Sequence, residues 1–353
     1  MLTDSKKIQT PRLSLEGLSY RDYGVSVKYF TKANERPSKR IDYSVKTLVR
    51  PYKGEIYLLD VFKNDIWFNQ HEPDTISEVI TNEISKSIYP ISVSISERDF
   101  SVDEIANHLQ ILDRWKKNKC YLEEKFNTDV TRSFYQAFEN AIQNKKYFLK
   151  SMQNDWFWNL LFHQNYIDYG HDNKVKTDLY LSIIPYDPPF KFKGVQTFDN
   201  IITNYNSIQI QFKSDDVATP DYFKSKILDT SAINNNNLLM RINVFYDLDI
   251  YYHFPMHIRA YFEVFTLAPD GKETILHKIH YTQYQQNTHD NKTYTREKGS
   301  QFFVEQNKHK EDKEVYKEYE GKAYTYHEWI KFEEKLYKEY KEKKKKKGFW
   351  DLF

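Results

Sequence analysis

Glycine is scarce in this chain, with 9 in 353 residues, and cysteine is represented by Cys120 alone. The glycines never form GxGxxG or a Walker loop, so the backbone cradle of nucleotide-binding folds is missing. No GxSxG elbow is present either. A single cysteine permits no internal disulfide framework and points to a reducing compartment. No apolar run approaches the roughly 20 residues of a membrane span. The opening Met1-Leu2-Thr3-Asp4-Ser5-Lys6-Lys7 has no apolar stretch behind it, so a secretory signal is not expected and the expected location is cytoplasmic. Neither sign of charge dominates: 52 basic and 50 acidic side chains leave a net +2, with no general footprint for specific nucleic-acid binding.

Aromatic residues are abundant, with 29 Tyr, 24 Phe and 6 Trp. Rings at this density could line a sugar or nucleic-acid groove. Tyr, Phe, Asn, Ile and Lys also share AT-rich codons, and aromatic side chains fill strand faces well. The length accommodates one large domain or two ordinary ones, either with a real core.

Residues 1–20 are polar with few apolar anchors and read as a loose lead-in. Residues 21–100 read as strand-rich with one helix. Val25, Val27 and Tyr29 alternate, then Ile41, Tyr43 and Val45, and Ile56 to Leu59 form a denser run, with breaks at Asn34 to Ser38 and Arg50 to Gly54. Thr75-Ile76-Ser77-Glu78 is a capping box, followed by Ile76, Ile80, Ile84 and Ile88 at intervals of four. Tyr89-Pro90 ends that helix, and Ile91, Val93 and Ile95 alternate with serines as a half-buried strand.

Residues 101–170 read as a helical block. Ser101-Val102-Asp103-Glu104 resembles a second capping box, with Ile105, Leu109, Leu112 and Trp115 on one face; Val130, Phe134, Phe138, Ala141, Phe148 and Met152 continue the pattern. Asp155 to Phe162 is apolar all round, which predicts either deep burial, the default, or coverage by a partner. Residues 171–300 form a second strand-rich segment, with strands at Leu179 to Ile184 and Ile208 to Phe212. The hairpin Pro269-Asp270-Gly271-Lys272 joins strands of about 256–267 and 273–286. Asn234 to Asn237 reads as a solvated loop.

Eleven histidines raise the question of metal. His253 and His257 lie in a strand-like stretch with Pro255 between them, which sets their Cα atoms about 13 Å apart. His277 and His280 point to opposite faces of a strand. No HExxH, cysteine pair or His-x-His accompanies them, so no metal and no cofactor is expected. Asp215-Asp216 with Asp221, His171-Asp172 and His289-Asp290 read as solvated loops, and nothing supports Cys120 as a nucleophile. No catalytic residue is assigned.

Residues 301–342 are rich in Lys, Glu and Tyr and suggest a charged amphipathic helix through Val315, Tyr319, Tyr326, Trp329, Ile330, Phe332 and Leu336. Residues 343–353 follow as a tether and flexible tail. Lys343, Lys344, Lys345, Lys346 and Lys347 repel one another and stay solvated, while Phe349, Trp350, Leu352 and Phe353 need an apolar seat. That seat is a pocket on a protein partner, the chain's own domain or an anionic membrane surface.

Ser87-Ile88-Tyr89-Pro90, the strand after it, Arg114-Trp115-Lys116-Lys117 and Asn154-Asp155-Trp156-Phe157 occur in an order with a known counterpart. Residues 87–169 resemble a group of poorly characterised bacterial proteins, often bearing a LysM module, from gene clusters of type VI-like contractile secretion systems. The resemblance implies a context and no reaction, and this sequence has no LysM module, so peptidoglycan binding does not carry over. The expected fold is α+β, with antiparallel strands flanking a central helical block, then a C-terminal amphipathic helix and flexible tail. The expected function is a non-enzymatic accessory protein, an adaptor or chaperone loading cargo onto a secretion spike or baseplate. A structural subunit of such a machine, a peripheral membrane protein and a delivered toxin or enzyme are the alternatives.

Overall fold

The computed structural model describes residues 10–18, 20–31, 36–184, 187, 189–203, 206–220, 223, 238–268, 270–288, 317–319 and 322–324. The chain divides into two units, residues 1–294 and 295–353.

The first unit is built on one twelve-stranded sheet in which every pairing is antiparallel. Strands β1 (Tyr20–Thr31), β2 (Lys39–Lys53), β3 (Ile56–Phe68), β4 (Ile91–Ser96) and β5 (Val102–Ile105) run as neighbours from the middle to one edge. Strands β6 (Lys174–Leu181), β7 (Phe190–Asp199), β8 (Ser207–Ser214), β10 (Leu238–Asp249), β11 (Pro255–Leu267) and β12 (Glu273–Thr288) return from the other edge, with the two-residue β9 (Val217–Ala218) against β10. The wings meet where β12 pairs with β1, for instance Val27 opposite Tyr281.

This corrects the α+β expectation. The strands before and after the helices are not two regions flanking a helical block; they hydrogen-bond into a single sheet that dominates the fold. The helices α1 (Ile76–Ile88), α2 (His108–Lys125), α3 (Asp129–Gln143), α4 (Lys145–Gln153) and α5 (Trp156–Leu161) are the minor part, and α2 to α5 carry the chain from edge strand β5 to edge strand β6.

Period-two patterning gives the sheet its covered face. Tyr23, Val25 and Val27 of β1, Tyr43 and Val45 of β2, Leu59 and Val61 of β3, Met240 to Tyr246 at alternate positions of β10, and Ile279 and Tyr281 of β12 are buried there. Helix α5 touches β6 and β11, and its Trp156 ring lies 5.9 Å from that of Tyr281. The opposite face carries polar cross-strand ladders, such as Gln211 donating to Asn243 and Arg241 to Glu263 and Glu273. Edge strand β6 presents Lys174 and Lys176, charges that discourage edge-to-edge pairing. At the seam Gly24 has no side chain because a Cβ there would meet the Tyr284 ring at 2.4 Å.

Several expected elements stand. The Thr75–Glu78 capping box opens α1, and Gly271, at φ +81°, turns the β11–β12 hairpin. Others fall. Ser101–Glu104 caps no helix: Val102–Ile105 pairs with β4, and α2 begins at His108. Leu109 and Val130 are exposed, while Ile111, Trp115 and Leu122 of α2 and Tyr135 and Ile142 of α3 turn inward. Within the expected lead-in, residues 10–18 form an anchored strap: Leu13, Leu15 and Leu18 are buried, Ser14 N donates to Tyr252 O, and Leu15 N to Glu97 Oε1. The Asn234 to Asn237 loop lies outside the described residues.

An ion pair fixes the seam. Arg21 and Asp249, both about 1% exposed, lie 3.7 Å apart. Asp249 Oδ1 also accepts from the amides of Tyr251 and Tyr252, and the Tyr23 hydroxyl donates to Pro255 O.

In the second unit, Lys317–Tyr319 pairs antiparallel with Lys322–Tyr324. This corrects the helix expected there, since a two-residue Glu320-Gly321 spacer suits a hairpin. The rest of the expected amphipathic helix lies outside the described residues.

Candidate binding recess

On the covered face, the β1–β3 wing holds one lysine where the pattern calls for an apolar residue. Leu59, Val61 and Lys63 alternate along β3, and the first two are completely buried. Lys63 is half-buried, and its ammonium lies 3.8 Å from the Tyr43 ring centroid and 6.0 Å from that of Tyr89. It makes no hydrogen bond or ion pair among the described residues. The hydroxyls of Tyr29 and Tyr43 are likewise without hydrogen-bond partners among the described residues, although Tyr43 is only 5% exposed.

Helix α5 comes near this cluster through Asp155, whose carboxylate acts on Lys63, Tyr29 and Tyr43. Asp155 caps the helix, with Oδ1 accepting from the amides of Phe157 and Trp158, and keeps an exposed side chain. Trp158 Nε1 donates to the Tyr89 hydroxyl at 3.0 Å, and the Trp158 ring stacks on Phe162. The Trp158–Tyr89 bond ties α5 to the residue that ends α1.

Burial and the Asp155 carboxylate set the protonation states. Burial first, and Asp155 second, raise the Tyr29 hydroxyl to about 12 and push Tyr43, Tyr89 and Tyr281 higher still. Burial lowers the Lys63 ammonium from its ordinary value, and Asp155 opposes that shift. At neutral pH the hydroxyls of Tyr29, Tyr43 and Tyr89 are therefore neutral.

A second polar cluster lies under the other wing. The buried His163 stacks on Tyr246 at 5.6 Å and pairs through Nε2 with Gln196 Oε1 at 3.1 Å. Gln196 Nε2 donates to Gln164 O, Asn165 Oδ1 and the Tyr169 hydroxyl. Burial drives His163 down to about 4, so the ring is neutral.

The residues singled out in the sequence fall elsewhere. Phe349, Trp350, Leu352, Phe353 and the lysines 343–347 lie outside the described residues. Cys120 is exposed on α2, its thiol directed at Lys116 O. His253 sits in the turn before β11, where its Nδ1 accepts from Arg12 N, while His257 faces Asp247 from within the strand. His277 and His280 do take opposite faces: His277 is buried, and His280 packs between Phe30 and Tyr261. Asp215, Asp216, His171 and Asp172 are exposed. His71, Asp74 and Glu78 bring ligand-type atoms within 4.8 Å of one another at the start of α1. The Glu78 carboxylate there accepts from the Asp74 and Thr75 amides, so the group reads as a helix cap.

The recess was missed in the sequence, although Lys63 in the buried phase of an alternating strand was its signal.

No family model matches this chain, and no curated protein does. Among solved structures, one of lipovitellin and its lipid–protein interactions is similar at TM-score 0.41 and 8% identity, over 78% of this chain and 26% of that one. The chain thus spans about a quarter of lipovitellin's length. An inactive mutant of the CurJ dehydratase with a bound compound aligns at TM-score 0.12 and 10% identity, over 75% of this chain and 76% of that one. Both scores are too low to assign a fold or a function. No described helix is long and apolar enough to cross a membrane.

Proposed function

We propose that this chain is a non-catalytic binding protein that works through contact with a protein partner. The observation that carries the non-catalytic reading is the chemistry of the recess. Its hydroxyls are held far above neutrality, and Tyr29, Tyr43 and Lys63 make no side-chain hydrogen bond among the described residues. Groups arranged this way hold a ligand without exchanging protons with it.

The finer reading is an adaptor or chaperone that loads cargo onto the spike or baseplate of a type VI-like contractile machine. It is supported by the resemblance over residues 87–169 and by the aromatic tail, whose Phe349, Trp350, Leu352 and Phe353 serve as anchors on a tether of five lysines. Affinity capture from native lysate, comparing the full chain with one ending at Glu342, tests it. Recovery of a spike, baseplate or cargo protein with the full chain only is the expected result. Identical partners for both chains would remove the tail as the docking element.

A further inference from the structure

We infer that a cleft beside the anchored strap receives a short segment of a protein partner that carries basic and acidic side chains together. The inference rests on the reading of this chain as a protein-binding protein, and adds the chemistry of the segment bound.

Four parts of the chain meet at the cleft. The strap supplies Arg12 and Leu13, the β2–β3 turn Glu55, the β4–β5 turn Glu97 and Arg98, and the loop between α5 and β6 Tyr166 and Asp168. The cleft holds about 750 Å³, within the range of pockets that take a drug-sized or short-peptide ligand. Hydrogen bonds tie its walls to one another. Arg12 N donates to His253 Nδ1, the Tyr166 hydroxyl donates to His253 O, and Glu97 Oε1 accepts from Leu15 N. Walls fixed in this way reduce the ordering cost of binding.

Charges of both signs surround the cleft without closing on one another. The guanidinium groups of Arg12 and Arg98 and the Glu55 carboxylate make no hydrogen bond or ion pair among the described residues. The Glu97 and Asp168 carboxylates accept only from backbone amides, those of Leu15 and Gly170. Elsewhere opposite charges do close, as Arg40 with Asp42, Lys119 with Glu139 and Lys191 with Asp178. The side chains of the cleft therefore keep their charge for a partner from outside.

The mixture of signs selects the occupant. A purely acidic segment meets three carboxylates, and a purely basic one meets two guanidinium groups. A segment with both signs is complementary to both sets. The buried Leu13 and half-buried Tyr166 add apolar surface for an aliphatic side chain. Arg12, Arg98, Glu55 and Asp168 are exposed, so a partner reaches them and each contributes modestly. Binding forms no covalent bond and moves no proton.

Fluorescence polarisation with the full chain and three labelled, end-blocked peptides is the test: Lys-Leu-Glu-Lys-Leu-Glu, Lys-Leu-Lys-Lys-Leu-Lys and Glu-Leu-Glu-Glu-Leu-Glu. The mixed peptide should bind most tightly and the acidic one most weakly, with the differences shrinking as salt is raised. Arg12→Met with Arg98→Met should weaken the mixed peptide about threefold or more, and so should Glu55→Gln with Asp168→Asn. Arg12→Glu with Arg98→Glu should shift the preference to the basic peptide. Lys191→Met, on β7 and outside the cleft, should leave binding unchanged. Melting temperatures check that the variants fold, and the carboxylate pair suffices if the arginine pair does not. Failure of the mixed peptide to bind, tighter binding of a single-sign peptide by the unaltered chain, or binding indifferent to both pairs of substitutions would overturn the inference. Each of these outcomes leaves the tail-dependent capture to stand or fall on its own result.

Discussion

The two polar clusters beneath the sheet differ in how their hydrogen bonds close. Under the β6–β10 wing, the buried His163, Gln196, Asn165 and Tyr169 bond chiefly to one another, with the neutral imidazole stacked on Tyr246; Asn165 Nδ2 and the Tyr246 hydroxyl of this group lack a hydrogen bond among the described residues. Under the β1–β3 wing, the half-buried Lys63 and Tyr29 and the buried Tyr43 make no side-chain hydrogen bond among the described residues, and the Lys63 ammonium rests on the Tyr43 ring. A closed buried network specifies packing, and breaking it strands its members. Polar groups left open cost stability where they stand, and are retained where something else supplies their partners.

The largest expected effect lies at the seam between the wings. Arg21→Met removes the cation facing Asp249, which is fully buried at the end of β10, and should cost about 3–5 kcal/mol in denaturant unfolding. A loss below about 1 kcal/mol would mean that the seam does not depend on the pair.

Next comes the closed cluster. Gln196→Leu removes the acceptor for His163 and a donor shared by three oxygens. It should destabilise by about 2–4 kcal/mol.

Acidification attacks the same wing. The folded values of His163 and His277 lie at about 4, below the ordinary 6.5, with burial as the main cause. The unfolded chain therefore binds protons that the native chain refuses. This contribution to stability is complete above pH 6.5, declines as pH falls, and is lost on reaching about pH 4. The cost is on the order of 3 kcal/mol per ring. Chemical denaturation at pH 7, 6, 5 and 4 should trace that decline; a flat profile would contradict the neutral buried imidazoles.

The smallest effect belongs to the open recess. Lys63→Met removes a half-buried cation that makes no hydrogen bond or ion pair among the described residues, and should change stability by less than about 1 kcal/mol, in either direction. A loss above about 2 kcal/mol would make Lys63 a structural strut and erase the contrast between the wings.

Local features of this fold were legible in the sequence because their causes are local. The Thr75 capping box, the Ile91–Ile95 alternation and the Gly271 hairpin each rest on a few neighbouring residues. The seam was not legible. Val27 and Tyr281 are 254 positions apart, and no spacing rule reports a pairing at that range. Ser101–Glu104 shows the converse: residues with a helix-start pattern pair instead with β4, where the Ser94 hydroxyl accepts from Glu104 N. Alternation at Leu238, Met240, Ile242, Val244, Tyr246 and Leu248 was present but went unread, which left β10 and the size of the sheet unforeseen. The aromatic tail drew attention as exposed chemistry, whereas Lys63 was hidden among the many lysines of a strand-rich segment. Only the phase of Leu59, Val61 and Lys63 separates it from a solvated side chain.

The most direct test of the account is the ionisation of Lys63, followed through its side-chain 13C and 1H shifts by NMR titration of the full chain and of Asp155→Asn. The account predicts a pKa below the ordinary 10.5, lowered by burial, which falls further when the Asp155 carboxylate is removed. An unshifted lysine that ignores Asp155→Asn would contradict it, and would make Lys63 an ordinary solvated side chain.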